Sequence, residues 1–182
     1  MARIFTAVSL VAVALVAATL AAPTPHHEPP PAQAKPLFQG AKIDGPTLAL
    51  FRRACQNCHS ENTHWPWYSR IPPVSWVIGK DVVKARRHVN FSNWDAYRPE
   101  EQGELLARIG SAVRSGRMPL RRYTLLHRDA FLASRERLQI YEWTKTERKR
   151  LRAAGIRTSW LAIDPPAMRG SPHEPSENSA AF

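Results

Sequence analysis

The chain opens with a long run of apolar and small residues, which then gives way abruptly to a proline-rich segment. Arg3 precedes an unbroken, weakly polar stretch, residues 4–22, that ends among small residues. This order is typical of an export signal, and the stretch is also long enough to cross a bilayer once. Residues 1–22 are therefore predicted to be a signal peptide or an N-terminal membrane anchor, and residues 23–40 a proline-rich linker.

Helical periodicity dominates the middle of the chain, whereas strand-like alternation is scarce. Prolines that suit the first turn of a helix open segments at 47–55 and 74–89. A third helix is predicted over 99–116 and a fourth from an N-cap at Ser134 to about Arg152. The buried stripe of the third helix comprises Leu105, Leu106, Ile109 and Val113. We predict an all-α domain over residues 41–155, followed by a disordered tail, residues 156–182.

Basic residues are concentrated in this helical region and change the expected partners. Residues 35–163 hold 24 of the 26 lysines and arginines but only 11 of the 15 acidic residues. Such a surface attracts nucleic acid, anionic lipid or an acidic protein. Because the N-terminus indicates export, we expect no nucleic acid, and instead an acidic protein partner and membrane association through the N-terminus.

The two cysteines of the chain lie three positions apart, in Cys55-Gln56-Asn57-Cys58-His59. In an exported chain, C-x-x-C-H indicates haem c: the two thiols add to the vinyl groups and the adjoining histidine ligates the iron. Cys55 and Cys58 are thus predicted to attach one haem covalently, with His59 as the proximal iron ligand.

Three other interpretations of the cysteines remain open. A zinc site could use Cys55, Cys58, His59 and His64, but the usual long gap between ligand pairs is missing. A thioredoxin-like redox pair requires a βαβ context that the pattern does not offer. A disulfide would close a very short loop and stabilise little.

The second axial ligand of the iron is predicted by elimination. Met1 lies in the export segment and Met168 in the tail, so Met118 is the only methionine within the predicted domain. It precedes a proline just after the third helix, and a thioether is a common haem ligand. Its alternative role is core packing, and His127, His88 and His64 are the competing ligands.

Longer motifs extend this signal beyond the cysteines. Residues 47–150 resemble the bacterial haem-binding domain family of c-type cytochrome-like proteins, through CQNCHSENTHWPWYSRIPPVSW, HVNFSNW and RMPLRRYTLLH. The resemblance implies a small, single-haem, cytochrome c-like helical domain with long loops packed on the haem, in which Cys55, Cys58, His59 and Met118 hold the cofactor. Aromatic residues would wall the haem pocket and hydrogen-bond its propionates: Trp65, Trp67, Tyr68, Trp76 and Trp94.

The expected function is periplasmic electron transfer by an iron with two protein ligands, and not enzymatic catalysis. A haem-based sensor or peroxidase-like protein, in which Met118 dissociates, is the alternative. The expected redox partner is acidic and is expected to bind arginines that flank the motif and the Met118 loop. These six residues, called here the arginine ring, are Arg52, Arg53, Arg70, Arg117, Arg121 and Arg122.

Overall fold

The computed structural model describes the backbone of residues 2–21 and 33–162, and the side chains of residues 4–18, 21 and 33–155. All regular structure in these ranges is helical, which confirms the predicted all-α class. The α-helices are α1 (Ala2–Ala21), α2 (Gly45–Ala54), α3 (Gln56–His59), α4 (Val74–His88), α5 (Pro99–Arg114), α6 (Arg121–Leu126) and α7 (Ser134–Ala162). Shorter 3₁₀ turns lie at Trp67–Arg70, Phe91–Ala96 and Arg128–Ala130.

Helix α1 corresponds to the apolar run at the N-terminus. Its large apolar side chains, from Ile4 to Val16, are exposed. Among the residues searched, which are the described ones, no helix is both long and apolar enough to span a membrane. Cleavage or retention of this segment stays a prediction, and residues 22–32 lie outside the described part of the chain.

The helices of the middle region begin and end close to the predicted positions, at recognisable capping residues. The Asp44 carboxylate accepts a hydrogen bond from the Thr47 N–H at 2.9 Å and so caps α2. Helix α5 stops at a left-handed Gly116, whose φ is +72°. A Cβ at this glycine would lie 2.8 Å from an Arg137 guanidinium nitrogen.

Helix α7 differs from its prediction at both ends. Ser134 is its first helical residue and not its N-cap, because Glu136 reaches back to accept the Ala133 N–H at 2.8 Å. The helix continues to Ala162, so the predicted disordered tail is wrong over residues 156–162. No proline interrupts this stretch before Pro165. Residues 163–182 lie outside the described part of the chain.

Helices α5 and α7 pack against each other in antiparallel directions, because Gly110 approaches Thr144 while the later Gly116 approaches the earlier Arg137. Gly110 permits their close approach, because a Cβ at this position would come within 2.5 Å of the Thr144 hydroxyl oxygen. That hydroxyl is buried and donates to the Tyr141 carbonyl oxygen at 2.7 Å. The close packing of α5 against α7, and not helix propensity, therefore explains why a glycine occupies position 110 inside a helix.

A cluster of aromatic rings fills the centre of the fold. Phe38 lies in the middle of the cluster, with ring centroids 4.5 Å from Phe91, 4.7 Å from Phe51, 5.0 Å from Trp94 and 5.1 Å from Trp143. These five residues are called here the aromatic core. Most of the ring pairs meet edge to face, the arrangement that aromatic quadrupoles prefer.

The predicted linker over residues 23–40 is wrong at its C-terminal end. Leu37 and Phe38 are 5% and 2% exposed, and the Phe38 N–H donates to the Phe91 carbonyl oxygen at 3.0 Å. Lys35 exchanges two backbone hydrogen bonds with the Asn62 side chain. The domain therefore begins near Lys35, because Leu37 and Phe38, which directly follow Pro36, belong to the hydrophobic core.

Candidate functional site

The Cys55–His59 motif forms the turn between helices α2 and α4. Cys55 ends α2 and starts α3, and its carbonyl oxygen accepts the His59 N–H at 3.0 Å. Both cysteines are free thiols, so the alternative of a short disulfide is not seen. Cys55 packs against the hydrophobic core, which contains the aromatic core, whereas Cys58 faces a cavity on the other side of the motif.

Burial keeps both cysteines protonated. It raises the pKa of Cys55 to about 12, with a further contribution from neighbouring Cys58. It also raises the pKa of Cys58 to about 11, with Asp81 adding to the effect. Reactive redox cysteines need a lowered pKa, so these values disfavour the thioredoxin-like alternative.

His59 is oriented as a metal ligand requires. Its Nδ1 lies 3.2 Å from the Val89 carbonyl oxygen, and its ring stacks on Phe91 with centroids 5.3 Å apart. A ligating histidine commonly donates its other ring N–H to a carbonyl in this way, which leaves Nε2 for the metal. Burial also lowers the pKa of His59, which favours the neutral imidazole that binds metals.

The loop after the motif is fixed by buried polar groups. The Ser60 hydroxyl donates to the Gln56 carbonyl oxygen at 2.8 Å, and the Thr63 hydroxyl to that of Asn57 at 2.7 Å. From helix α4, the Arg86 guanidinium donates to the Ser60 carbonyl oxygen and to the Thr63 hydroxyl, each at 2.9 Å. The backbone around the cysteines is thus held by side-chain hydrogen bonds in several directions.

A cavity of about 150 Å³ opens beside Cys58. The motif, helix α4 and helix α6 supply its walls, which are mostly apolar. The lining residues are Asn57, Cys58, Thr63, His64, Trp65, Pro66, Tyr68, Val74, Val77, Ile78, Asp81, Val82, Leu120, Arg122, Tyr123, Leu126 and His127. Ligand sites commonly measure ~300–1,000 Å³, so a ligand as large as a porphyrin requires the walls to separate.

Only some of the predicted pocket aromatics line this cavity. Trp65 and Tyr68 do, whereas Trp67 is 77% exposed. Trp76 is partly buried in helix α4 but is not among the lining residues. Trp94 belongs to the aromatic core, fully buried, and its indole N–H has no hydrogen-bond partner within the described residues.

Met118 lies at the edge of the hydrophobic core and not in the cavity wall. It is partly buried against the core, and its N–H donates to the Ala112 carbonyl oxygen at 3.1 Å. The wall on this side begins two residues later, at Leu120. Among the competing histidines, His127 and His64 line the cavity, while His88 is exposed at the end of α4.

Sequence reasoning missed a set of polar contacts across the cavity. Asn57 Nδ2 donates to the Tyr123 hydroxyl at 3.0 Å, and the Tyr68 hydroxyl is hydrogen-bonded to His127 Nε2. Tyr123 and His127 stack with centroids 4.3 Å apart. Their spacing of four residues could have indicated neighbours on one helix face. Nothing in the sequence distinguishes Asn57 from an ordinary motif spacer.

The donor set at the motif fits haem better than zinc. No three His, Cys, Asp or Glu side chains within the described residues are grouped as a metal site of protein ligands alone would require. Haem needs far less from the chain: two thiols on one turn, and one imidazole whose Nδ1 faces a carbonyl. Cys55 and Cys58 supply the two thiols, and His59 supplies the imidazole.

The comparisons agree with this donor set. A family model described as haem-binding domain matches residues 13–146, well over half of the chain. No curated protein and no solved structure gives a significant match. The matched region contains the C-x-x-C-H turn, the cavity beside Cys58 and the Met118 loop, and haem binding is thus the property shared with the family. The chain belongs to the haem-binding domain family.

Proposed function

We propose that this protein is a c-type cytochrome that carries one covalent haem and transfers electrons outside the bacterial cytoplasm. The observation that carries the proposal is the single turn Cys55–His59, with two free thiols and a neutral, oriented imidazole, in a haem-binding family. The apolar N-terminal run supports an exported location, either periplasmic or attached to the membrane by residues 4–22.

Each residue of the motif has a distinct task in this proposal. Cys55 and Cys58 form thioethers that retain the cofactor, and His59 ligates the iron through Nε2, while Val89 holds Nδ1. Haem supplies an iron centre that changes between the ferric and ferrous states. If Met118 also bound the iron, no coordination position would remain for a substrate, which would favour electron transfer over substrate activation.

Covalent attachment is tested by acid–acetone extraction of the full chain, produced with a periplasmic haem-attachment system. The colour should stay with the protein in the pellet, and the Cys55→Ala/Cys58→Ala variant should release it or never acquire it. Ser111→Ala, which removes an exposed hydroxyl on helix α5 and no thiol, is the matched control and should retain covalent haem. Release of haem from the unaltered chain would refute the c-type assignment.

A second candidate function, a haem-based sensor or peroxidase-like protein, is favoured by a specific observation. The cavity wall carries the hydrogen-bonded Tyr68 and His127, whereas Met118 lies outside it. Such a polar pair suits the binding of a small ligand at a distal position that the thioether has left.

The two functions differ in how firmly Met118 holds the iron. If electron transfer is correct, the oxidised protein should show the weak near-infrared band of Met–Fe(III) ligation, and Met118→Ala should abolish it. The reduced protein should then bind carbon monoxide only slowly, and Met118→Ala should accelerate binding. A sensor or peroxidase-like protein would bind carbon monoxide rapidly without any substitution.

The partner is proposed to be an acidic redox protein that docks at the mouth of the cavity. Exposed Val74, Val77 and Leu126 lie at this mouth. Two members of the arginine ring are already neutralised: Arg53 pairs with Glu136 at 2.7 Å, and Arg122 with Asp81 at 2.6 Å. Arg52, Arg70, Arg117 and Arg121 are exposed and form no ion pair with a described residue, and these four remain to attract a partner.

Salt and charge reversal test this docking surface. Electron-transfer rates with an acidic partner should fall as the Debye length drops below ~10 Å. Arg70→Glu/Arg121→Glu should flatten this dependence, whereas Arg108→Glu on helix α5, away from the cavity lining, is the control and should change it little. Rates indifferent to both salt and charge reversal would contradict the docking surface.

A further inference from the structure

Helix α6 forms one wall of the cavity with little apolar burial of its own. None of its six residues is buried, and Leu125 and Leu126 are 75% and 69% exposed. A helix this short is not stable by itself in water. The segment that contains α6, between Met118 and His127, must therefore be held by contacts to the rest of the molecule.

Three polar contacts supply this attachment, and each reaches a different element across the cavity. The Tyr123 hydroxyl accepts from Asn57 of α3, and His127 is hydrogen-bonded to the Tyr68 hydroxyl of the first 3₁₀ turn. The third contact joins Arg122 to Asp81 of α4: the guanidinium donates to both carboxylate oxygens, at 2.6–3.0 Å. All three partners of α6 also line the cavity.

Asn57 is itself held in one orientation. Its Oδ1 accepts the His64 N–H at 3.1 Å, which turns its Nδ2 toward the Tyr123 hydroxyl. Asn57 lies between the two cysteines, so this contact ties α6 directly to the proposed haem-attachment turn. Asn57 holds Tyr123 and Tyr68 holds His127. Because the rings of Tyr123 and His127 stack on each other, these two hydrogen bonds hold the same pair of rings.

We propose that Asn57, Tyr68 and Asp81 are positioning residues that hold the Met118–His127 segment against the other walls of the cavity, and that this attachment must loosen for the walls to separate around haem and for an external ligand to reach its distal side. This inference rests on the proposed haem site, but the attachment of the segment can be measured without it. The segment contains the predicted ligand Met118 at one end and the competing ligand His127 at the other. Loosening its attachment should therefore expose the distal side without affecting the thioether bonds.

The test uses substitutions that delete one hydroxyl and keep the ring: Tyr68→Phe, Tyr123→Phe and both together. Tyr141→Phe, on helix α7 and outside the cavity lining, is the matched control because its hydroxyl makes no hydrogen bond to a described residue. Hydrogen exchange of residues 118–127 is followed in the full chain. One hydrogen bond contributes ~1 kcal/mol, so each single variant should exchange roughly fivefold faster, and the double variant faster still.

The second measurement is imidazole binding to the oxidised, haem-loaded chain. Its rate should rise by a similar factor in the double variant, while covalent haem, measured by in-gel haem staining, stays at the unaltered level. Unchanged exchange, or faster exchange with unchanged imidazole binding, would overturn the proposal. Loss of haem from the unaltered chain on a denaturing gel would instead refute the proposed function, and exchange alone would then decide whether the hydroxyls hold the segment.

Discussion

The two sides of the Cys55–His59 turn are built in opposite ways. On the side of Cys55, four aromatic rings have centroids 4.5–5.1 Å from that of Phe38, and helices α5 and α7 meet closely at Gly110. On the side of Cys58, the cavity is closed by helix α6, which has no buried residue and is attached through polar contacts. The boundary between the two regions runs through the motif.

Because of this difference, the Cys55 side contributes most of the stability, whereas the Cys58 side can change its conformation more easily. Buried aromatic side chains each contribute several kilocalories per mole, whereas an exposed ion pair or a single hydrogen bond contributes about 1 kcal/mol or less. The cavity side can therefore rearrange around a ligand at small cost, while the core keeps His59 stacked on Phe91 in a fixed place. Substitutions that disturb one region and spare the other test this division.

The largest effect is expected from Phe38→Ala, which removes the central ring of the aromatic core. Phe38 is 2% exposed, and truncation of a buried phenylalanine costs ~3–5 kcal/mol. Thermal unfolding followed by circular dichroism measures the loss. Phe131→Ala is the control: this side chain is 61% exposed, and its removal should change the unfolding free energy by less than about 0.5 kcal/mol. Equal effects of the two substitutions would contradict a core centred on Phe38.

An intermediate effect is expected where helices α5 and α7 approach most closely. Gly110→Ala would bring a methyl group within 2.5 Å of the buried Thr144 hydroxyl, and such overpacking costs ~1–3 kcal/mol. Gly103→Ala on the same helix meets nothing within 4 Å and should instead stabilise by ~0.5–1 kcal/mol, because alanine is the better helix former. Denaturant unfolding of both variants measures the contrast. If both alanines stabilise the protein, the two helices are not packed as tightly as described.

The smallest effect concerns a polar contact on the core side, the Asp44 cap of helix α2. Hydrogen bonding to the Thr47 N–H lowers the pKa of Asp44, so its contribution is present above the unfolded pKa of ~3.9 and is lost as the pH falls through the lower, folded value. Asp44→Ala should cost ~1 kcal/mol at neutral pH and much less in acid. Asp44→Asn keeps the cap without a titrating group, so it should preserve stability at neutral pH and remove this acid dependence. A cost for Asp44→Ala that is constant with pH would contradict a charged cap.

Short-range signals in the sequence predicted much of the fold. Prolines at helix starts and the left-handed Gly116 gave helix positions within a few residues, because capping is a local property. The burial of Leu37 and Phe38 was missed, since two apolar residues after a proline-rich stretch make no periodic pattern. Their role depends on rings that lie far along the chain, at Phe91 and Trp143.

The candidate site was predicted to a similar, partial extent. The grouping of Cys55, Cys58 and His59 on one turn could be predicted, because C-x-x-C-H confines three donors to five consecutive residues. The aromatic wall could not, because Trp67 and Trp65 share a short motif while one is exposed and the other lines the cavity. Elimination picked out Met118 as a ligand, but composition cannot say which wall of a cavity a residue faces.

The hydrogen bond between Asn57 and Tyr123 has a consequence for how sequences in this family vary. The spacer positions of a C-x-x-C-H motif take no part in the haem chemistry, so mutation should alter them freely. Here the second spacer is bound to a hydroxyl 66 residues away, and a change at one position removes the partner of the other. Among relatives that keep this geometry, the two positions are expected to change together. A C-x-x-C-H motif transplanted from a cytochrome would supply the cysteines and the histidine but would lack the hydrogen bond between positions 57 and 123.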